Sequence, residues 1–231
     1  MTLTPRLDIL GAALADSSRA RMLCELMDGR AYTNKELASA AGVTPQTATA
    51  HLRRLEEAGL IRATRSGRCL YHSIAGPDVA EALETLSALA PSDHLYRVQQ
   101  RKGARLKMLE ARSCYDHLAG RLGVAIAQAL LELGDLARDG AQYRVVPSER
   151  WAKLGVTLTG RAPLARPCLD WTERLPHVAG PVGREVLSHA LSANWLRRVR
   201  GERGLEVTPA GAVALRQILG IRWEGGQCYQ N

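Results

Sequence analysis

The sequence predicts a mainly α protein that carries small β-hairpin wings and divides into an N-terminal and a C-terminal part. Three observations lead there. Apolar residues fill 46% of the 231 positions, but aromatics are only 4% and Phe is absent. Leu, Ala, Val and Ile must therefore build the core, which suits packed helices better than a β-sandwich. Helix start and stop signals recur closely from Leu7 to Leu89, and the second half echoes itself in order.

The elements follow from these signals. Leu7 to Leu14 reads as a helix. Asp16-Ser17-Ser18 offers an N-cap before Arg19 to Met27, where Met22, Leu23 and Leu26 have helical spacing. Thr33 caps Asn34 to Ala41, with Glu36 placed for a capping box, and Gly42 stops that helix. Thr44-Pro45 opens the next, with Ala48, Leu52 and Leu55 as its apolar stripe and Gly59 as its end. A strand pair follows: Leu60 to Thr64, a turn at Arg65-Ser66-Gly67-Arg68, and Cys69 to Ile74. Gly76-Pro77 opens a helix to Leu89, Pro91-Ser92-Asp93 breaks it, and a basic helix is expected from His94 to Arg112.

Beyond Ser113, Cys114-Tyr115-Asp116-His117 is echoed by Cys168-Leu169-Asp170-Trp171, and Leu118-Ala119-Gly120 by Val178-Ala179-Gly180. Leu136-Ala137-Arg138 returns as Leu196-Arg197-Arg198, and Tyr143 to Pro147 as Leu205 to Pro209. Each unit reads as helix, short hairpin, helix. The division expected is 1–90, a basic linking helix over 91–113, and a C-terminal domain over 114–231 with repeats at 114–155 and 168–221.

The net charge of +8 is unevenly spread. Ten Lys and Arg balance ten Asp and Glu over Met1 to Ala90, whereas Pro91 to Ser113 carries six against two. This permits a polyanionic partner without requiring one. Five cysteines (Cys24, Cys69, Cys114, Cys168, Cys228) are odd in number and far apart, unlike a secreted disulfide framework. With no apolar run long enough to span a bilayer and no signal-peptide core, a cytoplasmic location and no membrane partner are expected. Cys24 and Cys69 are expected to pack inside the first domain, and Cys228 to sit in a polar tail.

Residues Thr33 to Ile74 carry the functional reading. Two short helices flank the tight Ala41-Gly42-Val43 turn, as in a helix-turn-helix. The second presents Gln46, Thr47, Thr49, Ala50, Arg53 and Arg54 opposite its apolar stripe. Short polar residues near a helix N-terminus can reach base edges: Gln pairs with adenine, and Thr or Ala touches a thymine methyl. Thr44 and His51 join this set, and Arg65 and Arg68 at the hairpin tip suit phosphates or a minor groove. For His51, packing beside the turn is the alternative.

In Asn34-Lys35-Glu36-Leu37-Ala38, Val43-Thr44-Pro45-Gln46-Thr47, His51 to Ile61 and the Gly-Arg wing, the chain resembles the ArsR family of winged-helix repressors. The resemblance covers Leu7 to Leu89. It implies a homodimer formed by the first and last helices of this domain, reading two-fold double-stranded operator DNA, with release by a small effector or metal ion. The family's familiar metal sites are missing: Thr33 to Glu36 holds no thiol, and Pro77 to Leu89 holds no His.

The remaining chemistry lies in the echoed blocks. Cys114 and His117 are three apart and read as one helix face; Cys168 and His177 complete a four-ligand set if the repeats pack about a pseudo-two-fold axis. Thiolate and imidazole suit zinc or another borderline-soft divalent ion, with Asp116 and Asp170 beside them. Three alternatives stay open. The cysteines and aspartates are structural caps, with no cofactor; an organic ligand occupies a pocket lined by Tyr115, Trp171 and Trp195; or, least favoured, Cys114 and His117 serve a hydrolase. No nucleotide loop, Gly-x-Ser-x-Gly elbow or His-Glu-x-x-His motif is present, so the expectation is a regulator and not an enzyme.

Overall fold

A computed structural model describes residues 5–90, 107–158, 165–199, 204–224 and 227–229. The chain forms two compact units, Met1–Ala82 and Leu83–Asn231.

The first unit opens with α1 (Leu7–Leu14) and α2 (Ser17–Leu26). Asp16 caps α2 by accepting from the backbone of Ser18 and Arg19. Helix α3 (Asn34–Ala41) has the full capping box between Thr33 and Glu36, and α4 (Pro45–Glu57) has Thr44 accepting from the Thr47 N–H. Such caps each contribute about 1 kcal/mol, and in this chain they fix where the two helices begin. Leu37, Ala38 and Ala41 of α3 and Ala48, Leu52 and Leu55 of α4 turn inward. Strands β2 (Ile61–Ser66) and β3 (Cys69–Ile74) form the wing, in register from Ile61 opposite Ile74 to Ser66 opposite Cys69. A two-residue strand β1 (Tyr32–Thr33), too short to leave a sequence signal, adds to the free edge of β3. Helix α5 (Pro77–Leu89) follows.

Two cysteines depart from expectation. Cys24 and Cys69 are exposed: α2 buries Met22, Leu23 and Leu26 and leaves Cys24 on its outer face, and Cys69 begins the wing's return strand. The basic helix is also corrected where it can be followed. Residues 91–106 lie outside the described residues; Lys107 to Glu110 are helical, but Arg112 already belongs to a strand.

The second unit runs β4 (Arg112–Cys114), β5 (His117–Ala119), α6 (Gly120–Glu132), β6 (Leu136–Asp139), β7 (Gln142–Val145) and α7 (Glu149–Lys153). Then come β8 (Arg166–Leu169), β9 (Pro176–Ala179), α8 (Gly180–Ser192), β10 (Leu196–Arg198), β11 (Leu205–Val207) and α9 (Pro209–Leu219). Strands β12 (Arg222–Glu224) and β13 (Gln227–Tyr229) close it, with Cys228 opposite Trp223. Both segments thus open on a hairpin ahead of the helix, where the sequence suggested a helix first. Cys114 and His117 are not on a helix face; they are cross-strand partners across a two-residue turn. Tyr115 takes a φ of 54° in that turn, a left-handed value that no Gly announces. Gly120 at φ 79° and Gly180 at φ 83° let β5 and β9 turn directly into α6 and α8.

The core joins the two segments. Leu118, Leu122, Ile126 and Leu130 pack with Val178, Val182, Val186 and Leu187, with Tyr143 and Trp151 at the flank. Helix α6 lies against β9, and α8 lies against β5. Two glycines permit the approach: a Cβ on Gly123 would meet His177 Cβ at 3.4 Å, and one on Gly183 would meet His117 Cβ at 3.1 Å.

Candidate functional site

Two places hold the residues singled out from the sequence. On α4, Gln46, Thr47, Thr49, Ala50, Arg53 and Arg54 are all exposed, opposite the buried stripe. Thr44 is spent on the cap, and its hydroxyl lies 2.9 Å from that of Thr47. The Thr49 hydroxyl donates to the Pro45 carbonyl and accepts from the Asn34 amide, so its methyl is what remains outward. Arg53 pairs with Glu57 one turn on. His51 is half-buried, its Nδ1 3.2 Å from the Arg19 guanidinium and 3.9 Å from Asp16, which anchors α4 to α2. Arg65 and Arg68 are exposed at the wing tip.

The second place is built by the hairpins β4–β5 and β8–β9. Cys114 ends β4, His117 begins β5, Cys168 lies on β8 and His177 on β9. One ligand atom from each of these four lies within 4.8 Å of all the others. The two Nε2 atoms are 3.0 Å apart. Cys114, His117 and His177 are buried, and Cys168 is half-buried. Asp116 and Asp170 stand outside the quartet, behind the rings. Asp116 Oδ1 is 3.2 Å from His117 Nδ1, and Asp170 Oδ2 is 3.2 Å from His177 Nδ1, the latter within ion-pair reach though off the line of a hydrogen bond. A carboxylate at Nδ1 orients an imidazole and directs its Nε2 lone pair toward a ligand position.

Asp170 does more than orient His177. It takes a 2.8 Å bond from Arg112 and a 2.7 Å bond from the Gly120 N–H, and it accepts from Thr172. Burial alone would raise its pKa, but His177, Arg112 and Thr172 outweigh burial and hold the carboxyl well below the usual range. The same balance acts on His177: burial disfavours its charge, yet Asp170 and Cys168 raise the imidazole to about 9. The cysteines divide their roles. The Cys114 thiol and the two imidazoles lower Cys168 strongly, whereas burial and the neighbouring Cys168 and Glu84 push Cys114 up. The two imidazoles face each other across the 3.0 Å gap, and the tautomers set which Nε2 donates.

Four ligands at about 2.0–2.3 Å from one tetrahedral ion stand roughly 3.3–3.8 Å apart. The quartet spans distances up to 4.8 Å, so it needs to close by about an ångström.

The remaining candidates are dispersed. Trp171 stacks on the Arg112 guanidinium at 4.8 Å, and Trp195 meets His189 edge-on at 4.8 Å. A groove of about 340 Å³ in the same unit is lined by Lys107, Glu110, Leu205, Pro209 and Trp223, and not by Tyr115, Trp171 or Trp195. Trp171 and Trp195 are thus each held in a separate contact. Two ion pairs cross between the two segments. Arg112 bonds Asp170, and Arg184 bonds Asp116. Sequence reasoning misses Glu84, a buried acid in the apolar face of α5; its place beside Leu83 and Ala88 is the available signal.

Residues 16–62 match a family described as winged helix-turn-helix DNA-binding. The chain is 35% identical over 226 residues to the HTH-type transcriptional regulator YdfF of Bacillus subtilis (strain 168), covering 95% of this chain and 100% of that one. The chain belongs to the winged helix-turn-helix transcriptional regulators, of the ArsR type. The regulator is also 40% identical over 77 residues to CmtR of Mycobacterium bovis (strain ATCC BAA-935 / AF2122/97), covering 33% of this chain and 64% of that one. Among solved structures, the homodimeric winged helix-turn-helix domain (fragment 1–100) of Mb0332 from Mycobacterium bovis aligns at 31% identity. It covers 44% of the regulator and 99% of that chain, with a TM-score of 0.34. Among the described residues, no helix is long and apolar enough to cross a membrane.

Proposed function

We propose that this regulator is an effector-released repressor that binds a two-fold operator as a homodimer and senses a borderline-soft divalent ion, such as zinc or cadmium, in its second unit. The observation that carries the reading is the Cys114, His117, Cys168 and His177 quartet, drawn from two hairpins 54 and 60 residues apart and converging within 4.8 Å. Two sulfurs and two imidazole nitrogens form a donor set of the kind that holds zinc, and each ring has a carboxylate behind it. A relative, CmtR of Mycobacterium tuberculosis, is described as a cadmium metal-sensor in its own solved structure. We read segments 112–153 and 166–219 as a tandem repeat, supported by their common order of hairpin, helix, hairpin, helix. Dimerisation through α1 and α5 is supported by exposed Leu7, Ile9 and Leu10 on the one and Leu86 and Leu89 on the other.

The test is a titration of zinc and cadmium against the wild type and a Cys114→Ser, Cys168→Ser variant, reading ion affinity by chelator competition and operator affinity by anisotropy. The wild type is expected to bind one ion per chain and change operator affinity about tenfold or more; the variant should do neither. Equal responses from the two proteins would remove the cysteines from the mechanism.

In this reading α4 enters the major groove. Gln46→Ala and Thr47→Ala should each relax base preference and cost about 1–3 kcal/mol of operator binding. Arg65→Ala or Arg68→Ala should weaken operator and random DNA alike and flatten the salt dependence. An operator affinity unchanged in the Gln46 and Thr47 double variant refutes the placement of α4.

A further inference from the structure

The buried guanidinium of Arg19, on α2, holds three elements of the winged unit at one point. Its Nε donates to the Ala13 carbonyl at 2.7 Å, and its Nη2 donates to the Ala12 carbonyl at 2.9 Å. Both carbonyls belong to the last turn of α1, where a helix leaves its carbonyls without partners of its own. The remaining nitrogen, Nη1, lies 3.2 Å from Nδ1 of His51 in α4. A guanidinium carries only donors, so Nδ1 accepts. Asp16, the cap of α2, stands 3.9 Å from both Arg19 Nη1 and His51 Nδ1. The Arg19 and His51 side chains are 6% and 16% exposed, so little water competes for these bonds. Three bonds in three directions use the planar fork of Arg; the ammonium of Lys has no such shape.

We infer that Arg19 is the positioning residue that fixes α4 against α1 through His51, and so sets the spacing of the two operator half-sites that the dimer prefers. The inference rests on the reading above, in which α1 helps to join the two copies and α4 enters the major groove. Arg19 is too deeply buried to reach DNA and acts through its partners. Leu7, Ile9 and Leu10, exposed and proposed for the dimer face, stand on the helix whose end Arg19 holds. Thr47, exposed and proposed to read bases, stands one turn before His51 on α4. The tie thus runs from the face between the copies to the face aimed at DNA. Two helices related by a two-fold axis read half-sites about 34 Å apart, or a multiple of that, and the protein must hold them at that distance. Released from His51, α4 is free to rock on its buried stripe of Ala48, Leu52 and Leu55. Such a helix still reaches phosphates, but its dimer accepts several spacings.

The experiment uses the full chain and a duplex that it selects from a randomised pool, with copies lengthened or shortened by single base pairs between the half-sites. His51→Leu cuts the tie at α4 and leaves Arg19 on the α1 carbonyls, so the fold is kept. His51→Asn keeps an acceptor at the place of Nδ1, and Arg19→Lys keeps the charge without the fork. The wild type is expected to lose about tenfold or more in affinity when the spacing changes by a single base pair, a cost like that of one mismatched base. In His51→Leu and Arg19→Lys that preference should fall to about twofold or less, with random-DNA affinity within about threefold of the wild type. His51→Asn should keep the wild-type preference. A sharp preference in His51→Leu overturns the role. A flat preference in His51→Asn overturns it too, because the ring then acts on DNA directly. So does an affinity that falls alike in His51→Leu for every spacing and for random DNA, which is loss of folded protein and not of position. Wild-type protein with no preferred spacing overturns the two-fold reading itself, and is seen before any variant is compared.

Discussion

Asp170→Ala should lower the stability of the second unit by about 3–5 kcal/mol, the loss expected when one partner of a buried ion pair is removed. Arg112 and Asp170 are both fully buried, 2.8 Å apart, and the carboxylate also holds the Gly120 N–H at the start of α6. Without it, Arg112 keeps its charge with the Trp171 ring, the Met108 carbonyl and the Thr172 hydroxyl for company, and none of these neutralises it. A domain holds about 5–15 kcal/mol in total, so the change removes a large share. The four tryptophans, Trp151, Trp171, Trp195 and Trp223, all lie beyond Ala82, so intrinsic fluorescence in a urea titration reports on the second unit by itself. Asp116→Ala is the control. Its partner Arg184 is 59% exposed, and such surface pairs contribute about 1 kcal/mol or less. Equal midpoints for the two variants would mean that burial does not set the strength of these pairs.

Gly183→Ala should cost about 1–3 kcal/mol or more and weaken zinc binding about tenfold or more. Its new Cβ would stand 2.2 Å from the Val178 carbonyl oxygen, which is backbone and cannot rotate aside, and 3.1 Å from His117 Cβ. Either β9 or α8 must move, and each movement displaces a histidine of the quartet. Gly123→Ala, with its Cβ 2.5 Å from the Leu118 carbonyl and 3.4 Å from His177 Cβ, should act in the same direction and less strongly. Chelator competition and the fluorescence midpoint measure the two effects separately. Wild-type zinc affinity in Gly183→Ala would mean that the hairpins yield without disturbing their rings.

The winged part was legible because its punctuation is local. Thr33 with Glu36, and Thr44 with Pro45, announce helix starts through contacts three residues long or shorter, and the structure uses both. The convergence of Cys114, His117, Cys168 and His177 was also legible, since two echoed blocks in one domain have few ways to meet other than face to face. Their local shape was not. Spacing of three suits a helix face as well as the two ends of a tight turn, and only the positive φ of Tyr115 separates the cases. The ion pairs escaped for a related reason. Arg112 reaches Asp170 over 58 positions, and sequence neighbourhood says nothing about a partner that far away. Glu84 was visible as an acid within α5, but the stripe that makes it unusual becomes evident only once the buried face of that helix is known.

The crossed seating of α6 on β9 and α8 on β5 has a consequence for how the chain is made. Each segment leaves much of its apolar helix to be covered by the other segment's hairpin, so neither is a folding unit by itself. Expressed as two polypeptides, they should remain loose apart and assemble when mixed, as the halves of a divided protein do. The contacts that close the second unit join residues far apart in the chain, as His117 and His177 are, and such distant contacts form slowly. The winged unit relies on short-range pairing and emerges first from the ribosome. A newly made chain therefore holds its recognition helix before Cys114, His117, Cys168 and His177 have met, and on the proposed sensing role that interval is one in which no ion can address it.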